Sequence, residues 1–166
     1  TNITKIPDSF FFNCNDLSNV DICLNVIKIV GKNAFFSCRT LPNTIINGMT
    51  KLQKIENNAF MNCHALTDLS LNINNTLTTI GKNAFLDCNK LTTITISDSV
   101  TSIGINAFAR CNLLSNITLP INLFEYTDTY FKRFTSDKVI QYTSIGTEVV
   151  TTKSSLKNSL QAEFIE

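Results

Sequence analysis

The stretch at residues 80–111, IGKNAFLDCNKLTTITISDSVTSIGINAFARC, begins and ends on the same nine-residue block, Ile80-Gly81 through Cys88 and Ile103-Gly104 through Cys111. Outward from it the block recurs, and Cys14, Cys38, Cys63, Cys88 and Cys111 are separated by 24, 25, 25 and 23 residues. A fixed period of this size is what an array of stacked repeats produces. The neighbours keep the same period. A Phe stands three residues before each Cys (Phe11, Phe35, Phe60, Phe85, Phe108), preceded by Ala34, Ala59, Ala84 and Ala107 in four copies and by Phe10 in the first. Aliphatic residues lie eight before (Ile6, Val30, Ile55, Ile80, Ile103) and eleven before (Ile3, Ile27, Leu52, Leu77, Val100), and Leu17, Leu41, Leu66, Leu91 and Leu114 lie three after. Six and eight after each Cys come Val20/Ile22, Thr44/Ile46, Leu69/Leu71, Ile94/Ile96 and Ile117/Leu119, where only Thr44 is not apolar. All length variation falls at the joint between units, as in a solenoid whose other positions are locked by neighbours above and below.

The I-x-L segment alternates with period two and predicts a short strand with its middle residue outward, so that stacked units build one parallel sheet. The earlier segment, as in Val100-Thr101-Ser102-Ile103, is rich in β-branched residues and predicts a second, weaker extended row. Between them, N-A-F-x-x-C reads as one or two helical turns, with Asn33, Asn58, Asn83 and Asn106 at the capping position and Asn15, Asn89 and Asn112 as left-handed stops after the Cys. One coil has too thin an interior to bury its own Leu, Ile, Phe and Cys, so the core is expected to form only on stacking, with the five Phe in one buried column and the five Cys in another. The expected fold class is therefore an α/β repeat: a solenoid with a parallel sheet on one face, short helical turns per repeat, and a C-terminal cap.

Composition narrows function by exclusion. Only 16% of the 166 residues are charged, 14 basic against 13 acidic for a net charge of +1, while Asn and Thr supply 21 residues each. There is no basic footprint for nucleic acid and no apolar run long enough to span a membrane, so neither nucleic-acid binding nor membrane insertion is expected. Six cysteines in a chain of this length suggest three disulfides until the period is read; five of them then mark the interior of successive coils, as small buried hydrophobes. Cys23 falls outside the column and is the expected exposed thiol. Adjacent column cysteines lie near enough for bridging, but parallel side-chain directions oppose it.

The repeat, with residues 80–111 as its clearest copy, resembles the BspA-like leucine-rich repeats of the Treponema pallidum type over about residues 3–119. Departures are Pro7 and Glu56 in place of the block's Gly, Thr44 in the strand, and a post-strand Pro kept only as Pro120. The resemblance implies a right-handed leucine-rich-repeat solenoid and a non-catalytic role in binding proteins, in a family whose members are typically surface proteins that adhere to host cells or matrix. Cell-surface or secreted localisation is what it favours, although the chain carries no signal segment. An intracellular scaffold, or the recognition arm of a larger enzyme or regulator, is the alternative.

Residues 1–120 are thus assigned to five repeats of 23–25 residues and 121–166 to a degenerate sixth repeat with a C-terminal cap or tail. Leu123, Tyr126, Tyr130, Phe131, Phe134, Ile140 and Tyr142 fall at the sixth unit's apolar positions, and Leu156, Leu160 and Phe164 recur at helical spacing, either as a short closing helix or within a flexible tail. Residue 3 already belongs to the template, so the chain is expected to be a piece of a longer protein.

No enzymatic site is expected. His64 follows Cys63, but adjacent residues diverge and the Cys should point inward, so no Cys-His pair forms. Cysteines 23–25 residues apart lack the close knuckles of a zinc site, and Gly31-Lys32 and Gly81-Lys82 lack the rest of a phosphate loop; no metal or cofactor is expected. The sequons at Asn2, Asn74 and Asn116 are what this composition yields without selection, and matter only in a secreted protein. What remains is surface recognition of a protein partner by the outward residues of the main sheet. These are Asn19, Asn43, Asp68, Thr93 and Asn116 in one file and Asp21, Ile45, Ser70, Thr95 and Thr118 in the next. Lys5, Lys28 and Lys54, with Lys32 and Lys82 nearby, give the second row a modest basic edge.

Overall fold

The repeated N-A-F-x-x-C segment is the part of each coil that the backbone constrains most. In the computed structural model, which describes residues 3–71, 75–120 and 123 together with the strand backbones at 139–144 and 147–151, this segment is a string of β-turns and not a helix. Alternate N–H groups close turns on the third residue back: Ala34 on Gly31, Phe36 on Asn33 and Cys38 on Phe35, at 3.1–3.2 Å. Those between them donate to the next coil instead: Asn33 to Asn57, Phe35 to Ala59 and Ser37 to Met61, at 2.8–3.0 Å. The pattern repeats coil by coil, from Ser9, Phe11 and Asn13 through Asn83, Phe85 and Asp87.

A helix is excluded because this chain of turns needs left-handed backbone at two places. Asn33, Asn58, Asn83 and Asn106 have φ of 55–59°, and the residues just before each Cys in the same coils, Ser37, Asn62, Asp87 and Arg110, have φ of 57–64°. Positive φ at the third turn position is the type II requirement, and Asn tolerates it better than most residues. The asparagines expected as helix caps are therefore the left-handed residues themselves, and the left-handed site lies before the Cys, not at Asn15, Asn89 or Asn112. The side chains of Asn33, Asn58 and Asn83 form a ladder of their own, Asn83 Nδ2 donating to Asn58 Oδ1 at 3.0 Å and Asn58 Nδ2 to Asn33 Oδ1 at 2.9 Å.

Strands flank the turns. Five two-residue strands, β1 (Lys5–Ile6), β2 (Ile29–Val30), β3 (Lys54–Ile55), β5 (Thr79–Ile80) and β7 (Ser102–Ile103), pair in parallel as one sheet, each one coil from the next. The main sheet contains β4 (Asp68–Leu71), β6 (Thr93–Ile96), β8 (Asn116–Pro120) and β9 (Val139–Ser144) in parallel, closed by the antiparallel β10 (Thr147–Thr151). β9 pairs with β8 at Ile117↔Ile140 and Leu119↔Tyr142, so the main sheet extends one parallel strand beyond β8. The final antiparallel strand has no counterpart in the repeat. The proposed closing residues Leu156, Leu160 and Phe164 lie outside the described residues.

The first two coils do not contribute to the main sheet. In the second, residues 43–47 form a short helix, α1 (Asn43–Asn47), where Thr44 and Ile46 were expected on a strand. Ile45, Ile46 and Met49 are all buried, and an i, i+1, i+4 apolar spacing suits a helix face but not a strand. Pro42 precedes the helix and Gly48 ends it. In the first coil the only regular element of the corresponding region is a 3₁₀ turn at Leu24–Val26.

The core is a set of columns. Phe11, Phe35, Phe60, Phe85 and Phe108 stack with ring centroids 5.0, 5.2, 5.2 and 5.3 Å apart and planes within 15°. These separations match the strand spacing of about 4.8 Å, in offset-stacked geometry. Cys38, Cys63, Cys88 and Cys111 are buried, whereas Cys14, expected in the same column, is exposed because no coil covers it among the described residues; Cys23 is exposed as expected. All six thiols are free. Each buried Sγ donates to the carbonyl of the preceding coil's Phe: Cys38 to Phe11, Cys63 to Phe35, Cys88 to Phe60 and Cys111 to Phe85, at 3.0–3.3 Å. That carbonyl already accepts the N–H of its own coil's Cys, so the thiol fills its second lone pair. Gly31, Gly81 and Gly104 sit where the corner of one coil meets the backbone of the preceding one; a Cβ on Gly81 would lie 2.6 Å from Asn57 N.

Two outcomes follow. Asn58→Ala should cost about 3 kcal/mol, from left-handed strain and two lost ladder hydrogen bonds of about 1 kcal/mol each, and Asn58→Gly about two-thirds of that. Equal costs for the two in urea denaturation would contradict the left-handed assignment. Burial raises the Cys38 thiol from its ordinary 9.0 to about 12 and pushes Cys63 and Cys88 well above theirs. These thiols keep their protons in the folded chain at pH values where the unfolded chain has lost them. Stability should therefore be whole below pH 9 and fall above it by about 1.4 kcal/mol per pH unit for each such thiol. Urea midpoints measured between pH 8 and 10 test the slope.

Candidate functional site

The main sheet turns alternate residues inward and outward, and the inward ones are consumed by the core. Leu69, Leu71, Ile94, Ile96, Ile117 and Leu119 are buried, which leaves Asp68, Ser70, Thr93, Thr95, Asn116 and Thr118 on the outer face. Register places Asp68 beside Thr93 and Thr93 beside Asn116, and Ser70 beside Thr95 and Thr95 beside Thr118. Neighbours across the sheet are about 4.8 Å apart and alternate residues along a strand about 6.6–6.8 Å, so the six form a regular grid of hydroxyls, an amide and one carboxylate. Asp68, Ser70 and Asn116 are exposed, and the three threonines are half-buried among them.

The other four expected face residues are elsewhere. Asn19 and Asp21 are exposed but lie on chain without a strand. Ile45 is buried in α1, contrary to its expected outward place, because the helix turns it into the core. Asn43 stands at the edge of the grid: its Oδ1 accepts the Thr67 N–H at 3.1 Å and its Nδ2 donates to Thr67 Oγ1 at 3.1 Å. The side-chain amide thus does for the edge of β4 what a neighbouring strand's backbone does for β6, where Thr92 N–H donates to Thr67 O at 2.7 Å. At the far side, β9 brings Val139 and Gln141 into register with Asn116 and Thr118. The sequence reading did not include those two, yet they follow from the period, 23 residues beyond Asn116 and Thr118.

The second row is less basic in effect than its lysines suggest. Lys5 Nζ lies 3.1 Å from Asp8 and 3.8 Å from Glu56, and Lys54 Nζ lies 3.3 Å from Glu56. The hydrogen bond with Asp8 raises the Lys5 ammonium and lowers the Asp8 carboxyl from their ordinary values. Glu56, which breaks the Gly pattern, is the residue that takes both lysines. Cys63 and His64 form no activated pair: the Cys63 thiol is buried, donates to the Phe35 carbonyl, and resists ionisation because burial penalises the thiolate. No group of three or more potential metal ligands gathers among the described residues, and none of their helices is long and apolar enough to cross a membrane.

Comparison with known proteins fits this geometry. The family model of the BspA type leucine-rich repeat region, in six copies, matches residues 1–72 and 28–160. No curated protein matches the chain. Among solved structures the chain is similar to a leucine-rich repeat protein of T. pallidum, at 23% identity and a TM-score of 0.57 over 73% of this chain and 53% of that one. It is also similar to a leucine-rich repeat protein of Bacteroides ovatus, at 23% and 0.60 over 86% of this chain and 40% of that one. A leucine-rich cell surface protein of Faecalibacterium prausnitzii aligns at 24% and 0.56 over 86% of this chain and 41% of that one. The chain spans about half or less of the length of these proteins, and at such identities the likeness establishes the fold. With the family model covering nearly all of the repeat and the coils stacked as the period requires, the chain belongs to the BspA-type leucine-rich repeat family, a protein-interaction fold whose members are generally non-catalytic.

Proposed function

We propose that the chain is a binding module for cell-surface adhesion and that the grid on the main sheet, Asp68, Ser70, Thr93, Thr95, Asn116 and Thr118 with Asn43 at its edge, is the contact face. The observation that carries this reading is the split between the sheet's two sides. The inner side is used up by the core, while the outer side is a rigid polar array with a single charge, Asp68, and no packing duty. Such a face favours many modest hydrogen bonds over a few aromatic or Arg anchors, which are absent from its described positions. Affinity per domain is then low, and repetition of domains or copies supplies avidity. The similar F. prausnitzii protein, described as a cell surface protein, supports this setting.

A second reading, an intracellular scaffold or the recognition arm of a larger protein, draws on the thiols. Two exposed free cysteines, Cys14 and Cys23, suit a reducing compartment better than an oxidising one.

Binding of the purified chain to immobilised extracellular-matrix proteins tests the adhesion reading. Thr95→Glu or Thr118→Arg, each on the exposed side of a strand, should weaken binding at least tenfold, about 1.4 kcal/mol, with an unchanged melting temperature. Lys90→Glu, on the turn that precedes β6 and not on its outward face, should leave binding intact. Equal binding by all variants, or no binding to the matrix proteins at all, overturns the reading.

A further inference from the structure

One residue past the core Phe, each coil carries an apolar side chain that the core does not use: Phe12, Phe36, Met61, Leu86 and Ala109. Phe12 is 45% exposed, Phe36, Met61 and Leu86 are half-buried, and the short Ala109 is buried. The Phe12 and Phe36 rings stack at 4.9 Å with planes 15° apart. At a coil spacing of about 4.8 Å the row is about 20 Å long. Polar residues rim it, the Asn33, Asn58 and Asn83 ladder on one flank and Asn13, Ser37 and Asn62 on the other. A contiguous apolar row in a polar rim is a contact surface, unlike hydrophobic residues exposed singly.

The row is graded in size, from two Phe through Met and Leu to Ala. Laid against a copy of itself in the same direction, it opposes Phe12 to Phe12 and Ala109 to Ala109, overfilled at one end and empty at the other. Turned end for end about Met61, it sets Phe12 against Ala109, Phe36 against Leu86 and Met61 against Met61, larger to smaller around an equal middle pair. A two-fold axis through Met61 and across the row produces this pairing, and it sets each flank against the same flank of the copy.

The charges favour the same arrangement. Asp87 and Arg110 adjoin the row and pair with each other at 3.3 Å, with Arg39 and Asp16 exposed on the same flank. The axis brings Arg39 towards Asp87 of the copy and Asp16 towards Arg110 of the copy. In each of these attractive meetings one partner adjoins the row. In the like-charged meetings, Arg39 with Lys90 and Lys32 with Lys82, neither does.

We propose that this row is a self-association surface, on which a second copy of the chain packs antiparallel about Met61. A row one side chain wide presents less than the about 800 Å² per partner that a stable interface buries, so the pair is reversible and concentration-dependent. The surface lies on the turn segment and does not depend on the adhesion reading. Its consequence for that reading is that pairing leaves both main sheets uncovered and joins two contact faces in one particle.

Sedimentation velocity across the micromolar to millimolar range tests the surface, and the weight-average mass should rise from monomer towards dimer. Met61→Lys and Met61→Glu each place like charges across the axis and should weaken association at least tenfold. An equimolar mixture of the two should restore it, because residue 61 of one chain faces residue 61 of the other. Arg39→Asp, an exposed position whose substitution leaves the core untouched, should weaken association at least threefold with an unchanged melting temperature. A chain that stays monomeric throughout the range overturns the proposal. So does association that the Met61 variants or Arg39→Asp leave unchanged, and so does a mixture that associates no better than either Met61 variant alone.

Discussion

The alternating hydrogen-bond pattern of the turn segment is the constraint from which the rest of the solenoid follows. Every second N–H closes a turn within its coil, and the N–H groups between them reach the coil that follows. A helix would spend all its N–H groups internally, and a plain strand would spend none on turns. The hybrid lets a corner be tight and still hold its neighbour, at the spacing of paired strands. It also explains the severity of the sequence pattern there. The turn chain needs left-handed backbone twice per coil, which favours Asn, Asp and Ser at all these positions but Arg110, and it brings backbones so close at the corner that Gly31, Gly81 and Gly104 have no room for a side chain.

Side-chain chemistry completes the same interface. Ala34, Ala59, Ala84 and Ala107 are small because they lie between stacked coils, and the Phe beside them extends inward to stack on its neighbour. The buried Cys is more than a small hydrophobe. It donates across the coil boundary to a carbonyl whose other lone pair is already used, which Ala could not do. A disulfide would remove that donor, so the hydrogen-bonded column and the free thiols are one observation. Cys14, which donates to no preceding coil's carbonyl among the described residues, is exposed where the other four column cysteines are buried.

Period, stacking order, the identity of the core columns and the six outward residues on β4, β6 and β8 were legible in the sequence because each is a direct consequence of repetition. The turns were not. N-A-F-x-x-C satisfies helical spacing as well as it satisfies a chain of turns, and only the need of Asn33, Asn58, Asn83 and Asn106 for positive φ separates the two. Asn suits a helix cap and a left-handed turn residue alike, and here it is the latter. In the second coil the repeat's period predicts a strand, whereas Pro42, the adjacent Ile45 and Ile46, and Met49 carry a helical signal of their own. That substitution removes Asn43 and Ile45 from the strand face, and the irregular first coil removes Asn19 and Asp21. The outward strand face is accordingly shorter than the repeat, beginning at the third coil and continuing through β9.

Hydrogen exchange at single-amide resolution tests the turn ladder most directly. The amides of Phe35, Asn58, Phe60, Asn62 and Phe85 should exchange only on global unfolding, as slowly as the strand amides of Ile94 and Ile117, because each is bonded to the adjacent coil. Fast exchange at these positions, with protection confined to the strands, would mean that the turn segments do not hold the coils together and would contradict the account.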